Sequence, residues 1–489
     1  MKVWLINPPT RTARRMGING VVDTLFYNSP PLGLASLAAV LEQEGHGVVI
    51  TDAPALGMVL SDLETLARQV APDVVGLTAT TSYFRSATDS AARLRQLLPR
   101  ALLCLGGPHL TGRPEALLGQ PSFDLGVVGE GELTLRDVVR AVEAGRPWAD
   151  LPGVVSVQDG ALHRGPPRPV IEDLDTLPLP ARHLLPLHAY RPMPNDQRAL
   201  PKASMIASRG CPFACIFCEK VVFGQHYRAV SPGRLVQEMH HLTDRWGARD
   251  IAIVDSTFTP DRPRTLAVLE AMERRPPQVS WTASCRANLL DRGILERMRA
   301  LGCWRIRIAI ESGNDAILKT IRKGITKEEY AHTVSLAASL GFSVKGFFMV
   351  GHIGETAATL QESIEFACSL ELDDVTVQIN TPLPGAAQYA MCREHGTLDD
   401  TDPASLNFFE PVFVPHGLTR EQLLAAQRQF YRSFYLRPRQ VRRFIRDMSR
   451  PSDLTRYLRA IPVALDVMAA NRLRTRRPSG GKSAPPPGA

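Results

Sequence analysis

Short apolar segments alternate with helical segments along most of this chain, and this alternation restricts the possible fold more than any other feature. In the first 150 residues the apolar segments are 2–7, 47–52, 73–78, 101–105 and 125–128. Apolar runs of this length are typical of strands buried on both faces, and in parallel sheets the intervening helices cover those faces. Residues 1–150 are therefore predicted to form an α/β domain with a parallel sheet.

The same alternation resumes after a proline-rich stretch. Residues 151–200 are predicted to be a linker that carries a hairpin turned at Asp159-Gly160. The strands predicted beyond it are 203–207, 251–255, 280–284, 305–311, 343–350 and 374–379. Six strand–helix units predict a partial (β/α)6 barrel over residues 201–400, and catalytic groups in such barrels stand at the carboxyl ends of the strands.

Three of the eight cysteines in the 489 residues fall together as Cys211, Cys215 and Cys218. A structural zinc site would require four ligands, usually as two pairs, and no second pair follows. A [4Fe–4S] cluster is ordinarily held by four thiolates, so three local cysteines would leave one iron open to a small molecule. Three unrelated buried thiols are the alternative, which the scarcity of cysteine in this chain disfavours.

The C-x3-C-x2-C spacing resembles that of the radical S-adenosylmethionine (SAM) superfamily. The resemblance implies that the open iron chelates the amino and carboxylate groups of SAM, and that electron transfer cleaves SAM to a 5′-deoxyadenosyl radical. It also implies that Arg286 meets the SAM carboxylate, that Glu311 or Ser312 meets the amino group or ribose, and that Asp255 and Gly351 line the pocket. A structural salt bridge or helix cap is an equal alternative for each of these five residues.

Three short motifs stand out in the first 150 residues, one at the entry to the first predicted helix and two where strands are predicted to end. They are Pro-Pro-Leu-Gly-Leu at 30–34, Gly-Gly-Pro-His at 106–109 and Gly-Glu-Gly-Glu at 129–132. Read together with the cysteine motif, they resemble the cobalamin-binding Rossmann-like domain of B12-dependent radical SAM proteins. Ligands of such sheets bind beyond the carboxyl ends of the strands. The candidate cobalamin-binding residues are Thr78, Gly106, Gly107, Gly129 and Glu130.

This domain departs from one cobalamin signature. The D-x-H-x-x-G sequence of proteins that ligate cobalt through histidine is missing after the first strand, where Asn7-Pro8-Pro9 stands. Gly107-Pro-His109-Leu-Thr-Gly112 resembles the end of that signature but follows the fourth predicted strand. We therefore do not assign His109 as a cobalt ligand and expect a loop histidine that bonds backbone or phosphate. A structural layer without cofactor is the alternative for the whole domain.

The resemblance implies an enzyme that functionalises an unactivated carbon, most simply by C-methylation. Oxidative cyclisation or rearrangement with the same cofactors is the first alternative, and a non-catalytic cobalamin or iron–sulfur sensor is the second. Methylthiotransferases of this superfamily carry a second cysteine trio in their N-terminal domain. The other five cysteines of this chain are scattered, so a methylthiotransferase is disfavoured. His226 and Tyr227 are candidates for facing the substrate, and Cys285 is a minor candidate beside Arg286.

Composition narrows the partners and the location. The chain is 44% hydrophobic and 22% charged, which is ordinary for a soluble globular protein, and it lacks both a bilayer-length apolar run and a signal-peptide layout. Cysteines gathered in a metal motif favour a reducing, cytoplasmic location. The absence of a helix-turn-helix segment argues against nucleic acid as a partner. We expect a small-molecule or lipid-like substrate and a reductase or flavodoxin-type electron donor.

The positive charge is concentrated near the C-terminus. The net charge is +8, and residues 428–477 hold fourteen arginines, no lysine and three aspartates. Residues 401–477 are predicted to be mostly helical, with 478–489 disordered. A solvated helical face is the ordinary explanation of such a segment, although it is also suited to peripheral contact with an anionic membrane.

Overall fold

The structure, a computed structural model, describes residues 1–10, 30–190, 192 and 194–448, and within 444–448 only the backbone. Its N-terminal part is a seven-stranded sheet in the order β2-β1-β3-β4-β5-β6-β7, in which the first five strands are parallel. The strands are β1 (Lys2–Asn7), β2 (Gly47–Asp52), β3 (Val74–Thr78), β4 (Leu102–Gly106), β5 (Leu125–Val127), β6 (Val154–Gln158) and β7 (Ala161–Arg164).

Helices cover both faces of this sheet, as predicted. They are α1 (Leu32–Gln43), α2 (Leu60–Val70), α3 (Phe84–Leu97), α4 (Pro108–Gly112) and α5 (Gly131–Glu143). In β1, Val3 and Leu5 pack into one hydrophobic core, whereas Trp4 and Ile6 pack into the core on the opposite face. Successive side chains of a strand point to opposite faces, so an unbroken apolar run marks a strand that is buried on both sides.

The hairpin that the sequence places in the linker extends the first sheet. Its strands β6 and β7 pair antiparallel with each other, and β6 pairs antiparallel with β5. The turn lies at Asp159-Gly160, where both residues have positive φ. We therefore propose that the first domain continues to Arg164 and that the connecting segment begins after it.

The second part is an open half-barrel of six parallel strands in the order β15-β14-β13-β12-β11-β8, so the expected α/β fold is confirmed. The strands are β8 (Lys202–Met205), β11 (Asp250–Ile253), β12 (Ser280–Cys285), β13 (Cys303–Glu311), β14 (Ser343–Val350) and β15 (Asp374–Ile379). A short hairpin of β9 (Ser208–Arg209) and β10 (Arg228–Ala229) follows β8. The helices are α6 (Pro232–Trp246), α7 (Arg262–Arg274), α8 (Arg292–Ala300), α9 (Asp315–Thr320), α10 (Lys327–Ser339) and α11 (Ala357–Ser369).

The C-terminal region closes one open edge of the half-barrel. It comprises α12 (Ala387–His395), β16 (Gly396–Leu398), β17 (Phe413–Pro415), α13 (Arg420–Tyr435) and α14 (Pro438–Met448). Gln427 and Tyr431 of α13 donate to the Val377 carbonyl at 2.9 and 3.1 Å, and Tyr435 donates to the Val375 carbonyl at 3.1 Å. These side chains satisfy backbone groups that an edge strand such as β15 otherwise leaves unpaired.

Buried ion pairs close the amino-terminal end of the barrel. The Asp374 carboxylate lies 3.3 Å from Lys345 Nζ and 3.8 Å from Arg305 Nη1, and all three side chains are largely buried. Chemistry is therefore left to the opposite, carboxyl-terminal end. No helix within the described ranges is long and apolar enough to cross a bilayer. The arginine-rich helices predicted beyond residue 448 and the disordered segment predicted at 478–489 lie outside the described residues.

Candidate cofactor sites at the carboxyl ends of the strands

The three cysteines lie in the segment between β9 and β10, residues 210–227, which we name the cysteine loop. Its backbone is tied to itself and to the barrel. The amide of Cys211 donates to the Gly224 carbonyl at 3.3 Å, and the amide of Ile216 donates to the Ile321 carbonyl at 3.1 Å. All three thiols are unpaired and partly exposed, so they remain available to a ligand.

The thiols influence one another electrostatically. Burial, followed by the neighbouring charges of Cys211 and Cys215, raises the pKa of Cys218 to about 11. Within the described residues no three His, Cys, Asp or Glu side chains are grouped so as to surround a single metal ion. A [4Fe–4S] cluster does not require such convergence, because each thiolate binds its own iron, and bound metal keeps a thiol deprotonated. The donor set therefore fits the cluster.

Two cations lie against the aromatic residues of the cysteine loop. The Arg286 guanidinium lies 3.9 Å from the ring centre of Phe213 and donates to the Lys323 carbonyl. The Lys323 ammonium lies 5.6 Å from the ring centre of Phe217. Positive charge near thiolates and near a carboxylate ligand stabilises their ionised forms. Arg286, predicted from the sequence to meet SAM, thus lies beside the cysteine loop.

Glu311 and Lys323 form a buried ion pair with an Oε1–Nζ distance of 3.0 Å. Burial opposes the lysine charge, but Glu311, Tyr330 and Cys215 together outweigh burial and hold the pKa of Lys323 above its usual value. Glu311 has a φ of +73°, in the left-handed region that non-glycine residues seldom adopt outside functional sites. Glu311 is predicted from the sequence and Lys323 is not, although Arg322-Lys-Gly after β13 was an available signal.

The other predicted SAM residues separate into two groups. Asp255 is buried and accepts from the Ala207 amide at 2.7 Å and the Ser208 hydroxyl at 2.6 Å, at the entry to the cysteine loop. Burial raises its pKa to about 6. Gly351 directly follows β14, and its amide donates to the Glu355 carboxylate at 2.5 Å. Ser312 is instead directed at α11, where its hydroxyl lies 3.2 Å from that of Ser363, so its observed contacts are structural.

Several buried polar atoms at this end of the barrel lack a hydrogen-bond partner among the residues described. They are Tyr227 Oη, Thr257 Oγ1, Thr259 Oγ1, Arg264 Nε and Nη1, and His352 Nδ1 and Nε2. Buried polar groups are normally paired, so a group of unpaired ones indicates a missing ligand. SAM carries a carboxylate, an ammonium and ribose hydroxyls, which match this mixture of donors and acceptors.

His352 belongs to the turn over residues 351–355, which the sequence predicts to line the SAM pocket. Its side chain is fully buried, and its ring centre lies 5.7 Å from that of Phe217 in the cysteine loop. Burial and then the Lys323 charge lower its pKa to about 3, so the imidazole is neutral. A neutral imidazole offers one donor and one acceptor. The signal in the sequence was its position after Gly351, at the end of β14.

The minor candidates occupy different surroundings. Tyr227 is half-buried, and the Arg264 guanidinium lies 5.9 Å from its ring centre, whereas His226 is exposed and pairs with Glu172 at 3.1 Å. Cys285 is buried, and burial raises its pKa to about 12. Their roles toward a substrate remain predictions.

A cavity of about 330 Å³ lies between the two domains, at the carboxyl edge of the first sheet. All five candidate cobalamin residues line it: Thr78, Gly106, Gly107, Gly129 and Glu130. Gly107 has a φ of +104°, and a Cβ there would lie 2.7 Å from the Ala79 carbonyl oxygen, so only glycine shapes this wall. A mainly apolar concavity with a few polar groups at the carboxyl edge suits a large organic cofactor.

The cavity is also lined by residues of the cysteine loop and its hairpin, namely Arg209, Val222 and Phe223. His109, by contrast, is buried on α4, with Nδ1 3.2 Å from the Thr81 hydroxyl and its ring 4.3 Å from that of Phe84. Its observed partner is thus a side-chain hydroxyl rather than the expected backbone or phosphate.

Comparisons with known proteins identify both domains. The family model of the radical SAM superfamily matches residues 205–367, and that of the B12 binding domain matches residues 18–139. An uncharacterized methyltransferase of Pyrococcus horikoshii is 34% identical over 441 residues, which cover 90% of this chain and 93% of the relative. The anaerobic magnesium-protoporphyrin IX monomethyl ester cyclase of Rubrivivax gelatinosus is 28% identical over 418 residues, covering 84% and 74%.

A solved structure shares the fold. The radical SAM methyltransferase TsrM from Kitasatospora setae, determined with cobalamin and a [4Fe–4S] cluster bound, superposes with a TM-score of 0.68 at 17% identity, covering 89% of each chain. Both domains and their order are thus common to the two proteins. The present chain therefore belongs to the radical SAM enzymes that carry an N-terminal B12-binding domain.

Proposed function

We propose that this enzyme transfers a methyl group to an unactivated carbon of a small-molecule substrate, with SAM, a [4Fe–4S] cluster and cobalamin as its cofactors. The observation that carries the proposal is the shared wall of the two sites. Arg209, which directly precedes the cysteine loop, and Phe223, within it, line the same cavity as Thr78, Gly106 and Gly107 of the B12-binding domain. A substrate carbon between the domains would be within reach of both cofactors.

The residues of the chain would hold and shield these cofactors. Cys211, Cys215 and Cys218 would bind three irons, and the Arg286 and Lys323 charges would face the SAM carboxylate. When bound, SAM on the cluster supplies a carbon-centred radical and cobalamin supplies a methyl group. Phe213 and Phe217 would exclude water from the cluster, since a dry site strengthens the electrostatic contacts within it.

The test uses the full chain, purified without oxygen and reconstituted with iron, sulfide and hydroxocobalamin. It is incubated with a reductant, SAM bearing a deuterated methyl group and a small-molecule extract of the producing cell. We expect 5′-deoxyadenosine and S-adenosylhomocysteine in about equal amounts, together with an extract component that gains the deuterated methyl. Mass spectrometry detects all three products.

Matched cysteine variants locate the chemistry. Cys215→Ala should lose the cluster absorbance and 5′-deoxyadenosine formation, whereas Cys368→Ala, at a partly exposed thiol outside the loop, should retain both. A protein that binds no cluster, or a Cys215→Ala variant that still cleaves SAM, would contradict the proposal.

Cyclisation or rearrangement is the second candidate, because the relative from Rubrivivax gelatinosus is a cyclase. It predicts 5′-deoxyadenosine formation without deuterium transfer into any product, so the same experiment separates the two reactions. A sensor would cleave no SAM after reduction. We further propose a cytoplasmic location and a flavodoxin-type electron donor. Reduction of the cluster by a purified flavodoxin and its reductase would test the electron donor.

A further inference from the structure

Four buried charges join the B12-binding domain to the hairpin that carries the cysteine loop. We name Glu130, Glu132, Arg209 and Arg228 the interdomain ion-pair network. The Arg209 guanidinium donates to Glu130 at 2.9 Å and to Glu132 at 2.6 Å, and Arg228 donates to both Glu130 oxygens at 3.0 and 2.9 Å. Each side chain is no more than 10% exposed.

The network holds both ends of the cysteine loop. Arg209 lies two residues before Cys211. Arg228, on β10, is the antiparallel partner of Arg209. Arg228 also donates to the Ile171 carbonyl at 2.6 Å and to the Phe223 carbonyl at 3.2 Å, and Glu130 accepts from the Ile171 amide at 2.7 Å. The loop is thereby fastened to the first domain and to the connecting segment.

The same side chains form part of the cavity wall. Glu130, Glu132 and Arg209 line the cavity, and Phe223, which lies under the Arg209 guanidinium at 5.2 Å, lines it too. Two negative and two positive charges balance, so the network has no surplus charge with which to recognise an ion. Removing one partner of such a buried ion pair lowers the stability of the fold, because the other charge is left buried and uncompensated.

From these contacts we infer that the interdomain ion-pair network couples the two cofactor sites: cobalamin in the cavity orders the hairpin that positions the cysteines, and the loaded cluster orders the cavity wall. This inference rests on the proposed function. Ordering by a first ligand lowers the ordering cost of a second, and the effect is reciprocal by thermodynamic linkage. Glu130, Glu132, Arg209 and Arg228 are positioning residues in this scheme.

The experiment measures the dissociation constant of hydroxocobalamin by anaerobic equilibrium dialysis, with the full chain either cluster-loaded or freed of iron by a chelator. We expect the loaded wild-type protein to bind about tenfold more tightly, within the usual range of coupling between sites. In the Glu130→Gln variant the ratio should fall to about twofold or less. Asp137→Asn, which breaks a partly buried ion pair with Arg168 away from the loop, should keep the wild-type ratio.

A second readout tests reciprocity in the wild-type protein itself. Hydroxocobalamin should slow the loss of iron to a chelator about tenfold in the wild-type protein. The effect should be much smaller in Glu132→Gln, which removes the negative charge that Arg209 and the Ser36 hydroxyl contact. Equal cobalamin affinity in the loaded and cluster-free wild-type protein would overturn the coupling while leaving the proposed function standing. A wild-type protein that binds neither cofactor would overturn both.

Discussion

Gly210 provides the sharpest test of how the cysteine loop is built. It precedes Cys211, has a φ of +79° and faces the backbone of His226, at the other end of the loop. A Cβ at this position would lie 2.8 Å from the His226 carbonyl carbon and would overlap its oxygen. Carbon atoms pack best at about 3.5–4.0 Å, so Gly210→Ala must displace one side of the hairpin by about 1 Å.

Gly224 supplies a matched control within the same loop. Its φ is +70°, but a Cβ there meets no atom within 4 Å. Gly224→Ala therefore adds only the cost of a left-handed alanine, about 1–3 kcal/mol. Gly210→Ala adds that cost and about 1–3 kcal/mol more for overpacking. Since 1.4 kcal/mol is a tenfold change, the second cost alone corresponds to about a 5- to 140-fold difference in local opening.

Amide hydrogen exchange of the cluster-free protein measures this opening in peptides covering residues 208–229. We expect exchange to be faster in Gly224→Ala than in the wild type, and faster again in Gly210→Ala by at least about fivefold. Iron content after reconstitution should follow the same order. Equal exchange in the two variants would refute the reasoning, because it would mean that the contact with His226 does not constrain the loop.

Three further substitutions test the sites separately. Gly107→Ala should weaken hydroxocobalamin binding at least tenfold in equilibrium dialysis, because the new Cβ would lie 2.7 Å from the Ala79 carbonyl oxygen. Gly145→Ala, whose Cβ would meet no atom within 4 Å, should leave the binding unchanged. Arg286→Lys should speed iron loss to a chelator about tenfold, because lysine lacks the planar group that stacks on the loop. Burial raises the pKa of Glu355 from near 4.5 to about 8. Between these pH values the folded state retains a proton that the unfolded chain releases, so the free energy of unfolding falls as the pH rises. Glu355→Gln should flatten that fall in urea unfolding between about pH 5 and pH 8, and an unchanged slope would contradict it.

Much of the architecture could be predicted from the sequence, because the local alternation of apolar segments and turn residues marks the strands. The predicted limits of β2, β14 and β15 agree with the structure to the residue. Each is a short apolar run between turn residues, so burial and chain reversal mark both ends. Parallel strands all end at the same edge of the barrel. Residues that follow strands in the sequence, such as Arg286 and Glu311, could therefore be predicted to lie beside the cysteine loop.

The residues that the sequence did not reveal depend on contacts between distant segments. Lys323 lies twelve residues beyond Glu311, on the far side of a short helix, yet the two charges meet at 3.0 Å. Arg228 and Glu130 are 98 residues apart and belong to different domains. Periodicity records which face of an element is buried, but it carries no information on which charge lies opposite across an interface.

Two glycines allow the first domain, the cysteine loop and the barrel edge to approach one another closely. A Cβ at Gly112, at the end of α4, would lie 2.6 Å from the Pro384 carbonyl oxygen, beyond β15. A Cβ at Gly385 would overlap the Val221 side chain in the cysteine loop. Any larger residue at either glycine must therefore move the B12-binding domain, the loop or the barrel edge. In the proposed reaction a methyl group and a radical must reach one carbon, so such a shift would impair methyl transfer while leaving each cofactor site chemically complete.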